Sequence, residues 1–118
     1  ILLAAQALHV SRTTAREDVV LGLPLMGRLG SAALRVPGMV MNVVPLRLRV
    51  DPAESFARLV RRVVTAVREA RRHQRYRYED LRRDLGLLGA DRALTGPLVN
   101  VMPFDYGATF AGAPARAE

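Results

Sequence analysis

The chain of 118 residues contains no cysteine, no tryptophan and no lysine. The lack of cysteine excludes disulfides, thiol nucleophiles and thiolate-bound metals, and it is typical of a cytoplasmic protein. The two histidines, His9 and His73, lie too far apart in sequence to form a metal-ligand motif. The sequence therefore predicts no metal site.

Long apolar runs and the common catalytic motifs are also missing. No run approaches the roughly 18 residues that a membrane span needs. The N-terminal segment ILLAAQALHV lacks the basic start and the cleavage site of a signal peptide. There is no G-x-x-x-x-G-K phosphate loop and no G-x-S-x-G nucleophile motif. Because the chain does not begin with methionine, we expect it to be part of something larger, although a processed protein would look the same.

The charge is strongly positive but compositionally biased. All 18 basic residues are arginine, against 11 acidic residues, which gives a formal charge of +7. We attribute the excess to an arginine- and alanine-rich composition rather than to function. A basic face would still attract an acidic protein or a nucleic acid.

The longest apolar run, Met39 to Val50, dominates the sequence. From residue 46 to residue 50 apolar and arginine side chains alternate, which predicts a half-buried strand. Upstream of Pro45 the alternation stops, which predicts a segment that is covered on both sides. Because proline offers no N–H to a strand ladder, Pro45 marks either a change in the strand or a sheet edge.

Asn42 is the one amide in this apolar run. A buried amide without a partner costs about 1–3 kcal/mol, so Asn42 needs hydrogen bonds. Pairing with neighbouring backbone and a role in a functional site are both open from the pattern alone.

The other elements alternate along the chain and predict an α/β fold with about three strands and three helices. The pattern of apolar, capping and breaking residues predicts five of them. Two of them are strands, from Val19 to Leu25, ended by Pro24, and from Pro97 to Met102. The other three are helices, from Ile1 to about Ala15, from Pro52 to Arg72 with Asp51 as its cap, and from Tyr78 to Leu85. In the last helix, Leu81 and Leu85 are expected to point inward. The long helix carries an apolar stripe of Phe56, Leu59, Val60, Val63, Val64 and Val67.

Four segments carry a family resemblance when they are read in order. VVLGLPLMGR, MVMNVVPLRLRV with its following helix, RRHQRYRYEDL and GPLVNVM resemble the condensation domains of nonribosomal peptide synthetases. The resemblance runs from about Val19 to Tyr106. The variants look most like the siderophore-assembly branch of enterobactin synthase component F. General condensation domains carry Pro-Phe-Glu where Arg77, Tyr78 and Glu79 stand here.

The resemblance implies two chloramphenicol-acetyltransferase-like lobes with a tunnel between them. Each lobe is a mixed sheet with packed helices. The active-site motif H-H-x-x-x-D-G belongs to the N-terminal lobe and is not in this sequence. We therefore expect residues 1–118 to be the C-terminal portion of a condensation domain, with 1–106 as the matched core and 107–118 as a flexible end. This portion would hold no catalytic residue and would be inactive alone.

The implied reaction is amide formation between two carrier-bound substrates. An aminoacyl acceptor attacks an acyl donor, and both arrive on the phosphopantetheine arms of peptidyl or aryl carrier domains. The expected partners are those carrier domains and the N-terminal lobe, with no cofactor bound directly and no membrane. Epimerisation, cyclisation and esterification by related domains stay open, as do the substrates. Siderophore biosynthesis follows only from the branch resemblance.

The resemblance assigns roles to two residues. Arg28 matches the arginine that ends a G-x-P-x-x-G-R-like motif, and it is expected to pair with the aspartate of the missing motif across the lobe boundary. A solvated turn residue is the alternative for Arg28. Asn42 matches the asparagine of an M-x-x-N-x-x-P-like motif, which is expected near the tunnel in a positioning role.

A different class of function also fits the sequence. The arginine-rich segment from Arg58 to Arg77 could bind a carrier protein or a nucleic acid without catalysis. Nucleic acid is disfavoured because the aromatic residues in and next to that segment that could stack on bases, Tyr76 and Tyr78, are few, and because the charge follows the composition. A purely structural or docking domain is the third reading.

Overall fold

The computed structural model describes residues 1–27, 40–89, 93–101, 109–110 and 113–114. This part of the chain contains three helices and four strands. In chain order they are α1 (Leu2–Thr14), β1 (Asp18–Met26), β2 (Met41–Arg49), α2 (Phe56–Arg72), α3 (Tyr78–Asp84), β3 (Thr109–Phe110) and β4 (Ala113–Pro114). None of these helices is long and apolar enough to cross a membrane.

Strands β1 and β2 form an antiparallel pair that carries the core. Asp18 lies opposite Arg49 at one end, and Met26 lies opposite Met41 at the other. The helices α1 and α2 pack on one face of this pair. Alternate strand residues point to that face, as the period-two pattern predicts. The buried core comprises Ala4, Ala7, Val19, Leu21, Leu46, Leu48, Val50, Leu59 and Val63.

A short segment adds to the other edge of β1 and makes the sheet mixed. The N–H of Gly22 donates to the carbonyl of Pro97 at 3.0 Å, and the N–H of Val99 donates to the carbonyl of Gly22 at 2.9 Å. The bridge between Gly22 and Leu98 is parallel. A β-carbon at position 22 would lie 2.3 Å from Leu98 Cδ2, so glycine permits this close approach. The strand predicted from Pro97 is here a single bridge, and its predicted end lies outside the described residues.

The two flanking hydrogen bonds of the β1–β2 pair show which backbone groups face each other. The N–H of Gly27 donates to Val40 at 3.0 Å, and the N–H of Val50 donates to Glu17 at 2.7 Å. In an antiparallel ladder this orientation repeats every second residue. Odd-numbered residues of β1 and even-numbered residues of β2 therefore direct their N–H and C=O groups toward each other.

This alternation explains why both prolines lie inside strands. Pro24 and Pro45 are at outward positions, where a missing N–H removes no bond between β1 and β2. The prediction that Pro24 ends its strand was wrong, because β1 continues to Met26. The prediction of a segment covered on both sides upstream of Pro45 was also wrong. Met41 is 54% exposed, and the outer side of β2 has no neighbouring strand in the described part of the chain.

The long helix begins later than predicted. Its first residue is Phe56, and the side chain of Ser55 caps it by accepting the N–H of Arg58 at 3.4 Å. Asp51 instead accepts the N–H of Ala53 at 2.9 Å and shapes the preceding turn. Aspartate followed by proline suits a turn as well as a helix start, so the sequence placed the start four residues early.

The predicted apolar stripe of α2 is only partly buried. Leu59 and Val63 are 3% and 4% exposed, whereas Phe56 and Val64 are each 42% exposed. The two buried residues are four positions apart and share one side of the helix, whereas Val64 is turned about 100° away from Val63 and Phe56 is the first residue of the helix. The prediction that all six residues pack inward was therefore wrong for Phe56 and Val64.

The short helix α3 ends as expected but buries less than expected. Gly86 has φ +67°, a left-handed conformation that suits glycine after a helix end. Leu85 is 55% exposed, so its predicted inward position was wrong. Leu85 is the residue at which the helix ends rather than part of its inner face. Most of the predicted flexible end lies outside the described residues, apart from the paired strands β3 and β4.

Candidate functional site

Asn42 ties β2 to the turn between α2 and α3. Its Nδ2 atom donates to the carbonyls of Gln74 at 2.9 Å and Tyr76 at 2.7 Å. Its Oδ1 atom accepts the N–H of Tyr78 at 3.1 Å. We call residues 73–77 the α2–α3 turn. One side chain therefore satisfies three backbone groups in and next to this turn.

Only a carboxamide can make this set of bonds. Both donors and one acceptor position of Asn42 are used, and a carboxylate would offer no donor. These bonds agree with the reading in which Asn42 pairs with backbone. The sequence suggested RRHQRYRYEDL as a segment with a family resemblance but not as the partner of Asn42, because backbone groups leave no signature in residue type. The role of Asn42 toward a substrate stays a prediction.

A largely apolar groove lies along the outer edge of β2, beside the α2–α3 turn. Its volume is about 560 Å³. We call it the β2-edge groove. Its lining residues come from β2, α2, the turn and α3, and they are Val43, Val44, Pro45, Leu46, Arg47, Ala66, Glu69, Ala70, His73, Tyr76 and Leu81. The few charged groups leave most of its wall without hydrogen-bonding capacity, so it suits an apolar occupant.

A second contact holds the turn against α3. The hydroxyl of Tyr76 donates to the carboxylate of Asp84. This hydrogen bond raises the pKa of Tyr76, since losing the proton would break the bond beside a negative charge. The α2–α3 turn is therefore attached both to β2 and to the end of α3.

The other predicted site residue cannot be placed. Arg28 lies outside the described residues, so its bridge to an aspartate of the missing motif stays a prediction. Within the described ranges, no group of three histidine, aspartate or glutamate side chains could hold a metal ion.

The exposed side of α2 is basic. Glu54, with a side chain only 5% exposed, binds Arg58 at 3.5 Å and Arg62 at 3.3 Å. Other arginines of this helix are exposed and make no ion pair within the described part of the chain; they are Arg61, Arg68 and Arg71. The charge that the binding-module alternative needs is therefore present on one helix face. It carries no feature that selects a nucleic acid.

An ion pair crosses the sheet on the face opposite the core. Arg47 lies 2.7 Å from Asp18, and its guanidinium donates three hydrogen bonds to the two carboxylate oxygens. The hydrogen bond to Arg47 lowers the pKa of Asp18 below its ordinary value of 3.8. The same bond raises the pKa of Arg47.

The pair makes a prediction about acid stability. The pKa of Asp18 is lower in the folded chain than in the unfolded chain. The ion pair therefore stabilises the fold fully above the unfolded pKa, and this stabilisation is lost as pH falls through the folded pKa. We expect Arg47→Leu to make the loss of stability below about pH 4 shallower. Urea midpoints measured between about pH 2 and 6 test this. Arg61→Leu, which removes an arginine without an ion pair, is the control. Identical acid-side slopes for both variants would contradict the prediction.

The comparisons with known proteins agree on one family. The family profile described as "Condensation domain" matches residues 1–114. The dimodular nonribosomal peptide synthase of Bacillus subtilis is 54% identical over 112 residues, which is 95% of this chain and 5% of the relative. The isonitrile lipopeptide synthase of Streptomyces coeruleorubidus is 50% identical over 118 residues, which is 100% of this chain and 8% of the relative. The chain thus spans less than a tenth of these relatives.

A solved structure confirms the fold class. The first condensation domain of the calcium-dependent antibiotic synthetase, in complex with a substrate analogue, superposes with a TM-score of 0.82 at 46% identity. The superposition covers 94% of this chain and 24% of that structure. The chain therefore has the chloramphenicol-acetyltransferase-like α/β fold, with a mixed sheet and packed helices.

The branch suggested by the sequence needs a correction. Enterobactin synthase component F of Escherichia coli K12 is 41% identical over 104 residues, which is 88% of this chain and 8% of the relative. That identity is lower than those to the Bacillus and Streptomyces synthases, so enterobactin synthase component F is not the relative that the chain most resembles. The family itself does not depend on the branch. With the profile match and these relatives together, the chain belongs to the condensation-domain family of nonribosomal peptide synthetases.

Proposed function

We propose that this chain is the C-terminal portion of an amide-forming condensation domain and works together with an N-terminal lobe. The observation that carries the proposal is the family match over residues 1–114 in a sequence without H-H-x-x-x-D-G. Condensation domains form amide bonds in nonribosomal peptide synthetases. The catalytic motif would come from the N-terminal lobe, so this portion alone is inactive.

In the proposed reaction, the acceptor amine attacks the thioester carbonyl of the donor. A C–N bond forms, the C–S bond breaks, and the phosphopantetheine thiol leaves with the proton that the amine loses. The chain itself binds no cofactor. The phosphopantetheine arms belong to the peptidyl or aryl carrier domains that deliver both substrates.

Two residues have proposed roles in this assembly. Asn42 holds the α2–α3 turn through three backbone hydrogen bonds, and it positions the wall of the β2-edge groove rather than reacting itself. Arg28 is the inter-lobe structural bridge to the aspartate of the motif. Both roles are structural support for a site whose reacting groups lie in the other lobe.

The donor is proposed to be an aryl-acyl group in siderophore assembly. The support is the similarity to enterobactin synthase component F and to a vanchrobactin synthetase of Vibrio anguillarum. The similarity to an isonitrile lipopeptide synthase supports a fatty-acyl donor instead. A cytoplasmic location, where such synthetases would meet their carriers, is part of the same proposal.

Reconstitution tests the function. The chain is assayed alone and together with the H-H-x-x-x-D-G portion of its own gene product, with a loaded donor carrier and an aminoacyl acceptor carrier. We expect an amide product, detected by mass spectrometry on the acceptor carrier, only when both portions are present. Product from the chain alone, or none from the two portions together, would overturn the proposal.

The choice of donor is tested in the same assay. Donor carriers are loaded with benzoyl or with octanoyl groups. Faster transfer of benzoyl supports the siderophore proposal, because an aryl donor then fits the tunnel better. Faster transfer of octanoyl would replace it with lipopeptide assembly.

A further inference from the structure

The positive charge of the chain is concentrated in one segment. Residues 58–77, which cover most of α2 and the α2–α3 turn, hold eight arginines and one acidic residue, Glu69. The rest of the chain holds ten arginines and ten acidic residues, so the whole formal charge of +7 belongs to this segment. An excess that came from an arginine-rich composition would be spread along the chain. Composition alone therefore does not explain where the charge lies.

Helix α2 separates its arginines into two stripes, and the first is largely neutralised. Arg58 and Arg62 both bind the carboxylate of Glu54. Further along the same stripe, Arg72 binds Glu69 at 3.1 Å. Little of the excess charge is therefore available on this side of the helix.

The second stripe keeps its charge. Arg61, Val64, Arg68 and Arg71 follow one another at steps of three, four and three residues, which places them along one side of the helix, over about 15 Å. The three arginines are exposed and make no ion pair within the part of the chain that the structure describes. Val64 lies between them and is 42% exposed. We call these four residues the α2 patch.

The α2 patch has the chemistry of a reversible docking surface. A guanidinium matches a carboxylate through two parallel hydrogen bonds, and arginine is enriched in protein interfaces. Permanent interfaces bury large apolar areas, whereas this patch offers one valine. The patch therefore suits an acidic partner that binds and leaves rather than a lobe that stays attached.

We propose that the α2 patch docks an acidic surface of a carrier domain, with carboxylates against its arginines and an apolar side chain against Val64. The inference rests on the proposed function, in which carrier domains deliver both substrates and leave after each transfer. The N-terminal lobe belongs to the same condensation domain and does not exchange. Attraction between opposite charges speeds repeated encounters of the kind that the carriers make.

Direct binding of the carrier domains tests the proposal. The intact condensation domain of the chain's own gene product is titrated into each of its two carrier domains, labelled with a fluorophore, and anisotropy gives the dissociation constant. We expect the double variant Arg61→Gln/Arg68→Gln to raise this constant at least about tenfold for one of the carriers. Unchanged dissociation constants for both carriers would overturn the proposal.

A second double variant is the matched control. Arg12→Gln/Arg16→Gln removes the same charge from exposed positions at the end of α1, and it should change carrier binding by less than about twofold. An equal loss of affinity for the two double variants would mean that only the total charge matters, and the proposal would fail.

A carboxylate placed inside the patch gives an independent measurement. Val64→Glu puts a negative charge between Arg61 and Arg68 and should weaken carrier binding to a similar extent. Thr65→Glu adds the same charge one residue along, on the neutralised stripe, and is its control. Both positions are exposed, so the urea midpoint of unfolding should stay unchanged. Equal effects of the two variants on carrier binding would contradict the location of the patch.

Nucleic acids and anionic membranes are the competing occupants. A single-stranded oligonucleotide or phosphatidylglycerol vesicles could bind the unchanged domain more tightly than the carriers do and lose that binding in Arg61→Gln/Arg68→Gln. That result would overturn the proposal. Carrier affinity should also fall as salt rises from about 0.05 to 0.5 M, and an affinity independent of salt would contradict docking by charge. Carriers that dock as expected without amide formation in the reconstitution would refute the proposed function and leave the docking standing.

Discussion

Replacing Leu21 by alanine is expected to lower the free energy of unfolding by about 2–5 kcal/mol. Leu21 is 0% exposed and is the largest fully buried side chain in the described residues. It lies on the face of β1 on which the helices pack, so truncation leaves a cavity in the core. Total stabilities of single domains are about 5–15 kcal/mol, so this loss is a large fraction. Urea unfolding followed by circular dichroism measures it.

Leu85→Ala is the matched control for this prediction. The chemical change is the same, but Leu85 is 55% exposed, and we expect a cost below about 1 kcal/mol. The spacing of apolar residues predicts an inward Leu85, whereas the structure has it exposed. Equal losses for the two variants would therefore show that the core is not centred on Leu21.

The parts of the fold that depend on local periodicity could be predicted. The alternation around Leu46 and Leu48 places both residues in the core because a strand points successive side chains to opposite faces. The stripe on α2 was less informative. The helix buries the side that carries Leu59 and Val63, so Val64 remains exposed at the far margin of the stripe and Phe56 remains exposed at the first residue of the helix.

The parts that depend on pairing could not be predicted. Pro24 does not end β1 because its nitrogen points away from β2, and that orientation depends on the partner strand. A single strand sequence does not say which of its residues face a neighbour. For the same reason, the sequence could not decide whether Pro45 marks a change in the strand or an edge of the sheet.

For the candidate site too, the sequence identified the residue but not its partners. A lone amide among apolar residues identified Asn42 as a residue that needs partners. The partners are backbone groups more than 30 residues away along the chain, and no side-chain pattern encodes them. The proposed role of Arg28 rests on a motif in another lobe, so neither the sequence of this chain nor its described residues can supply the partner.

Replacing Asn42 by aspartate is expected to release the α2–α3 turn at neutral pH. A carboxylate would face the carbonyl oxygens of Gln74 and Tyr76 without a proton to donate, and both bonds would be lost. We expect the free energy of unfolding to fall by at least about 2 kcal/mol. Chemical unfolding of the variant and of the unchanged chain measures the difference.

The aspartate variant also has an expected pH dependence. Burial beside two carbonyls disfavours the carboxylate, so the folded pKa of the new side chain lies above its unfolded value of about 3.9. A raised folded pKa means that the variant gains stability, relative to the unchanged chain, as pH falls through that pKa. The protonated acid can then donate one of the two lost bonds. We expect the difference in free energy of unfolding between the variant and the unchanged chain to become smaller as pH is lowered from about 8 to about 4, which chemical unfolding at each pH measures.

Two further variants separate anchoring from a direct role in the reaction. Asn100→Asp introduces the same charge at an exposed position and should leave stability unchanged across this pH range. Asn42→Ala loses all three bonds without adding a charge, so its cost should not vary with pH. If Asn42→Asp unfolds like Asn100→Asp, the three bonds do not hold the turn. Asn42→Asp could then abolish amide formation in the reconstituted domain while the free energy of unfolding stays unchanged. That result would make Asn42 a substrate-contacting residue, because a residue that acts only by holding the turn would lower the stability as well.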